Sequence, residues 1–324
     1  MAVSNPVLAN VWRGNAIESR HRGAVVAVNI TGKRMLALGD VDAPVFPRSA
    51  IKPLQAVPLV ESGAAERYGL GDAEIALACA SHNGEPIHVE AVGRWLVRIG
   101  LSPNDLECGP QRPLHEASAD ALIQAGQKPA PIHHNCSGKH AGMLTTCRFF
   151  DEDTCGYTAY GHPTQQRWFD VLGDLTGLDP LVRPHGIDGC GVPVLAWPLE
   201  RLAYAFARFA DPAGLSEARR NALGRIRGAI AARPEMIAGT GRLCSRLAQV
   251  TGGELIGKVG GEGVYGVAVP ARGLGLMLKI DDGAKRAAEV AVGASLEKLG
   301  LLKSEWRDAL AEYFRPAVRN QAGT

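Results

Sequence analysis

An α+β fold, in which strands from the two ends of the chain join in an antiparallel sheet packed with helices, is what the sequence predicts. Strand-like runs cluster before residue 40 and after residue 253, and the stretch between them reads largely as helix. No G-x-G-x-x-G leads from a strand into a helix, so an alternating βαβ nucleotide-binding array has no support.

Taken in order, residues 7–12, 24–30 and 35–38 are short apolar runs. The last two flank the tight turn Thr31-Gly32-Lys33-Arg34, which gives an antiparallel start. After a proline-containing loop over 42–48, residues 49–60 predict a helix beginning at or near Ser49, with Pro53 tolerated because it falls in the first turn. Helical patterns then dominate from 73 to about 251, including 88–99, 164–176, 199–209 and 216–232. Strand-like runs at 254–259, 263–269 and 274–280 follow, and helices over 284–299 and 304–314 close the chain. The expected organisation is a single catalytic unit over 1–319, with a helical section over roughly 73–251 and a loose tail over 320–324.

With 324 residues, 46% of them hydrophobic, the chain can bury a continuous core. Lys and Arg number 35 against 33 Asp and Glu, so a net charge of +2 offers no electrostatic footprint for nucleic acid or an acidic membrane surface. A small polar partner is the expectation. The first residues lack a basic segment followed by an apolar one, and no stretch is apolar enough to span a bilayer, so a cytoplasmic location is expected. Seven scattered cysteines, an odd number, fit a reducing compartment.

Three short motifs carry chemistry. Ser49-Ala50-Ile51-Lys52 is an S-x-x-K, Ser81-His82-Asn83 an S-x-N and Lys258-Val259-Gly260 a K-x-G, in the order of serine β-lactamases and penicillin-binding proteins. Residues three apart share a helix face, so a partly neutral Lys52 beside Ser49 can take the hydroxyl proton. A helix N-terminus would add N–H groups where an oxyanion forms. Ser295-Leu296-Glu297-Lys298 repeats the first pattern inside an ordinary amphipathic helix, where a solvated face is the better reading. Ser49 could otherwise be an N-cap, Ser81 a turn serine and Lys258 an exposed strand lysine.

A second cluster, His133-His134-Asn135-Cys136-Ser137-Gly138-Lys139-His140, pairs with the distant Gly-rich loop Asp188-Gly189-Cys190-Gly191. Thiolate, imidazole and carboxylate are zinc ligands, and His134, His140 and Asp188 each qualify as partners for Cys136 and Cys190. A Cys136 nucleophile with a histidine base is the competing use of these residues. The other five cysteines read as core.

Longer blocks resemble the rhizobial-type, class 3 L-asparaginases. They are Pro47-Arg48-Ser49-Ala50-Ile51-Lys52-Pro53-Leu54-Gln55-Ala56, Ala80-Ser81-His82-Asn83-Gly84-Glu85, His134 through Met143, Asp188-Gly189-Cys190-Gly191-Val192-Pro193 and Lys258 through Tyr265. The resemblance runs from about residue 8 to about 300. It implies a fold similar to serine β-lactamases and glutaminases, a homodimer, and the pairs Ser49 with Lys52 and Ser81 with Lys258. It also implies a zinc ion held by Cys136, Lys139 and Cys190 that modulates substrate binding, beside Asp188. Gly261 departs from the family pattern, which commonly has alanine there.

The function so implied is hydrolysis of L-asparagine to L-aspartate and ammonia through a Ser49 acyl-enzyme, with Arg48, His140 and Asp188 fixing the charged ends of the amino acid. A glutaminase or another Ser-Lys amidohydrolase would share the machinery. A non-catalytic zinc or amino-acid-binding module would keep its role after Ser49→Ala.

Overall fold

In the computed structural model, which describes residues 4–322, both ends of the chain meet in one six-stranded antiparallel sheet. β1 (Val7–Arg13) and β2 (Ala16–Asn29) form a hairpin, and β3 (Arg34–Leu38) returns along the second half of β2. Four short strands follow: β4 (Pro44–Val45), β5 (His185–Ile187), β6 (Pro193–Leu195) and β7 (Trp197–Pro198), paired β4 with β7 and β5 with β6. The C-terminal strands β8 (Ile256–Val259), β9 (Val264–Val269) and β10 (Leu274–Ile280) complete the large sheet in the order β1-β2-β10-β9-β8. Meeting of the two ends is fixed by the register Leu276 opposite Ala27 and Leu278 opposite Val25, in the middle of the buried run Ala24 to Val28.

The helix Leu199–Ala210 lies on this sheet, and glycines permit the approach. A Cβ on Gly275 would overlap Ala203 O and Ala207 N, and one on Gly266 would come within 2.7 Å of the Phe206 ring. The helix Lys285–Lys298 packs against β1, β9 and β10.

Elsewhere the expected segments form with small shifts, among them Pro86–Arg98, Pro163–Thr176 and Glu217–Ala232, the last capped by Ser216 Oγ accepting from Arg219 N. Three expectations change. The second strand begins at Ala16, because residues 16–23 pair with β1 despite their polarity. The predicted helix over 49–60 is broken into a 3-10 turn, Arg48–Ile51, and the short helices Lys52–Gln55 and Val57–Glu61, each with a proline in its first turn. The helix over 304–314 divides at Leu310. Residues 316–322 are exposed and carry no helix or strand, while Gly323 and Thr324, the rest of the expected tail, lie outside the described residues. No helix among the described residues is long and apolar enough to cross a membrane.

Candidate active site

Ser81 sits in an extended segment that leaves the helix Asp72–Ala78 and is held on two sides. Its N–H donates to Ile237 O (3.0 Å), and the next N–H, of His82, donates to Asn135 O (3.1 Å). Two lysines converge on its hydroxyl. Lys52 Nζ lies 3.0 Å from Ser81 Oγ and donates to Ala80 O at 2.5 Å, while Lys258 Nζ lies 2.8 Å from Ser81 Oγ and donates to Val259 O at 2.8 Å. Both lysines are fully buried, so Lys258 is not an exposed strand residue.

Two ammonium groups cannot share one buried oxygen cheaply. Burial, then the neighbouring Lys52 charge, pushes Lys258 down to about 7. A neutral Lys258 accepts the Ser81 proton while Lys52 donates to the same oxygen, so each polar atom of the trio has a partner of the right kind.

Ser49 lies in the 3-10 turn and lines, with Arg48, Ser81 and Arg242, a cleft of about 250 Å³. The expected bond from Lys52 to Ser49 is not made: the amine is drawn to Ala80 O and Ser81, and among the described residues the Ser49 hydroxyl has no side-chain hydrogen bond. The K-x-G glycine explains how strand and turn come together. A Cβ on Gly260 would lie 2.5 Å from Pro47 O, so only glycine lets the end of β8 reach the turn carrying Ser49. At Gly261 the neighbour is the Arg48 guanidinium, whose Cζ would be 3.1 Å from an added Cβ. Among the described residues three non-glycine residues have positive φ, and two of them, Arg48 (51°) and Glu262 (54°), line this cleft. Such strain tends to gather at functional sites.

The cysteine cluster lies behind. Gly138 approaches Leu77 O too closely for any side chain, seating the helix Ser137–Phe149 against the helix that leads to Ser81. His82 Nε2 and Ser137 Oγ, 2.8 Å apart, tie the two loops together. Lys139 Nζ donates to Cys190 Sγ at 3.1 Å. Contact with Cys136, then the nearby Lys139 and His140, pushes the Cys190 thiol far down against the effect of burial, while the same contact and burial drive Cys136 up. Burial opposes the Lys139 charge, but Cys190 and Cys136 outweigh it and raise its pKa. His140 is fully buried, its Nδ1 2.6 Å from Tyr157 Oη, and its Nε2 makes no well-formed hydrogen bond.

Sequence reasoning therefore identified two groups that the fold assembles: Ser49, Lys52, Ser81 and Lys258 around the cleft, and Cys136, Lys139 and Cys190 beneath it. Arg48 lines the cleft, with Nε bonded to Asp188 Oδ1 at 2.5 Å, whereas His140 is sealed in the interior. His134 Nδ1 accepts from Cys136 N, which occupies it as a turn acceptor. Another group suited to a metal, Cys147, Glu152 and His162, is engaged already: Glu152 pairs with Arg167 through both oxygens, and both His162 nitrogens are bonded. Among the remaining cysteines Cys155 is exposed, against expectation, and Ser295 is buried, its hydroxyl bonded to Ala291 O. Arg242 and Glu262 also line the cleft; Glu262 falls inside the block Lys258 through Tyr265, whereas nothing in the local sequence marks Arg242.

A family model described as L-asparaginase II matches residues 9–324. No curated protein matches the chain. Similar solved structures include one described as Mglu in its native form, at 14% identity and TM-score 0.48, covering 87% of this chain and 66% of that one. The chain thus spans just under two thirds of that neighbour. Others are a β-lactamase from Mycobacterium bovis (15%, TM-score 0.42, 86% and 94% covered) and the D-alanine carboxypeptidase AmpC from Burkholderia cenocepacia (14%, 0.40, 84% and 93%).

Proposed function

The chain belongs to the L-asparaginase II family of amidohydrolases, and from that premise we propose that it hydrolyses L-asparagine to L-aspartate and ammonia with Ser49 as nucleophile. The observation that carries this reading is the Lys52, Ser81 and Lys258 cluster opening onto the cleft that also exposes Ser49. Ser81 Oγ is the one atom bonded to both amines, so a proton can pass from Lys52 through Ser81 to a neutral Lys258. Lys52 is then the free base.

Ser49 Oγ attacks the side-chain amide carbon and gives its proton to Lys52. Backbone N–H groups, including that of Ser49, hold the oxyanion. The C–N bond breaks as the lysine chain returns a proton to the leaving nitrogen, and ammonia departs. Water then adds to the aspartyl ester, its proton passes to the same chain, and Ser49 recovers its hydrogen. Arg48, paired with Asp188, borders the cleft and places a carboxylate for the α-ammonium group, with His140 behind.

The interacting Cys136 and Cys190 thiols, the Lys139 amine on Cys190 Sγ and His140 Nε2, buried without a well-formed hydrogen bond, fit a zinc ion held by Cys136, Lys139 and Cys190. When bound, zinc supplies a fixed positive charge that tethers the loop bearing Asp188. The ligating amine has to be neutral, so Lys139 must give up its proton to the solvent. We further propose a cytoplasmic homodimer, on the family resemblance, with sedimentation velocity as the test.

Ammonia release from L-asparagine and L-glutamine, with and without a chelator, tests the reading. Asparagine turnover that survives chelation with a raised KM is expected. Glutamine turned over with the higher kcat/KM would overturn the substrate assignment.

A further inference from the structure

The cations around the cleft are not equivalent. Arg48 is balanced by Asp188 at 2.5 Å, and Lys285 by Glu289 at 3.5 Å. Lys52 and Lys258 are committed to Ser81. Arg242 also lines the cleft, and among the described residues no carboxylate lies within ion-pair distance of it. Its one side-chain bond is Nη1 to Asn83 Oδ1, at 2.7 Å.

That bond is an orienting one, because Asn83 is itself immobilised. Asn83 is buried, its Nδ2 donates to Thr240 O (2.9 Å) and Glu85 Oε1 (3.2 Å), and its N–H donates to Ala238 O (2.9 Å). A neutral amide oxygen therefore fixes one end of the guanidinium without cancelling its charge, and four of its five N–H donors stay available. The Arg242 charge also reaches Lys258, which places it electrostatically in the same site.

An amino-acid amide brings a carboxylate that must be desolvated as it enters. A guanidinium already paired with an aspartate gains little from a second carboxylate, whereas an unpaired, pre-oriented one offers charge-assisted hydrogen bonds. We infer that Arg242, oriented by Asn83, docks the α-carboxylate of the substrate and thereby selects α-amino-acid amides over simple amides. This rests on the amidohydrolase reading above and gives to Arg242 one of the charged ends that the sequence alone assigned to Arg48, His140 and Asp188. Asn83 acts as a positioning residue.

The test compares L-asparagine with 3-aminopropanamide, the same amide without its carboxylate, in wild type, Arg242→Gln, Arg242→Lys and Arg48→Gln. Arg242→Gln should raise KM for asparagine about 10–100-fold, the range expected for a lost charged hydrogen bond. It should change kcat for asparagine and turnover of 3-aminopropanamide by the same small factor, less than about fivefold, and Arg242→Lys should recover part of the loss in KM. Calorimetry with L-aspartate should show a matching loss of affinity. An unchanged KM in folded Arg242→Gln, an equal loss on both amides, or discrimination lost only in Arg48→Gln would each overturn the inference while asparaginase activity stands. A wild-type protein that neither hydrolyses asparagine nor binds aspartate would remove both readings.

Discussion

Replacing Lys258 by methionine separates the electrostatics of the site from its chemistry. Lys258 is fully buried, and burial with the adjacent Lys52 charge takes it from 10.5 to about 7. Its folded value lies below its unfolded one, so between about 7 and 10.5 the unfolded chain binds more protons and stability rises with pH. Below about 7 both states are protonated, and this group adds no further slope. At 1.36 kcal/mol per pH unit, the ammonium form costs the native state about 5 kcal/mol at pH 6. Methionine removes that cost but forfeits hydrogen bonds to Ser81 Oγ and Val259 O, about 1–2 kcal/mol each. Lys258→Met should therefore be more stable than wild type by about 2 kcal/mol at pH 6 and less stable by a similar amount at pH 10. Urea unfolding followed by tryptophan fluorescence at pH 6, 8 and 10 measures the crossing.

Turnover should move the other way. A free lysine is neutral about 0.04% of the time at pH 7, against about half for Lys258, a gain of roughly a thousandfold in available base. Wild-type kcat/KM should climb tenfold per pH unit up to about 7 and then level, and Lys258→Met should lose about three orders of magnitude. A stability difference that is constant across pH, or a wild-type profile with its bend near 10, would refute the reasoning.

Ser49→Ala and Lys52→Ala should each reduce ammonia release by several orders of magnitude with unchanged circular dichroism, since parts that share one proton fail together; near wild-type turnover in Ser49→Ala would exclude it as nucleophile. Cys136→Ser and Cys190→Ser should lose zinc by elemental analysis and raise KM more than they lower kcat, and undiminished zinc in both would eliminate the proposed ligand set. Gly275→Ala should destabilise the protein by at least about 2 kcal/mol in chemical denaturation, because the added methyl meets backbone atoms of the helix Leu199–Ala210 that cannot rotate away.

The sheet was legible because its strands carry local information: residues 274–280 form a strand buried along nearly its whole length, as their largely apolar run predicts. The break in the helix after Ser49 was half legible. Pro53 was read as harmless, but Pro58 starts a second helix, and together the two prolines leave only short helical pieces. The choice of Ser81 as the partner of Lys52 was hidden, since it depends on where residues 80–82 run, and that is set by Ile237 and Asn135 far along the chain. For the same reason no spacing rule joins Cys136 to Cys190 or brings Arg242 to the cleft. Sequence periodicity reports which face is buried, not which distant loop supplies the partner.

Several features of the site disfavour the folded state locally. Two buried lysines compete for one hydroxyl, and Arg48 and Glu262 adopt left-handed backbone that costs about 1–3 kcal/mol apiece. None would persist on a loose surface. They are held by glycine contacts that admit no side chain, Gly138 on Leu77 and Gly260 on Pro47, which fix the loops whatever the charges prefer. It follows that removing the Lys258 amine should raise stability below about pH 7 and lower turnover, whereas filling either glycine should lower both. That opposition of sign separates the groups that do the chemistry from the packing that holds them in place.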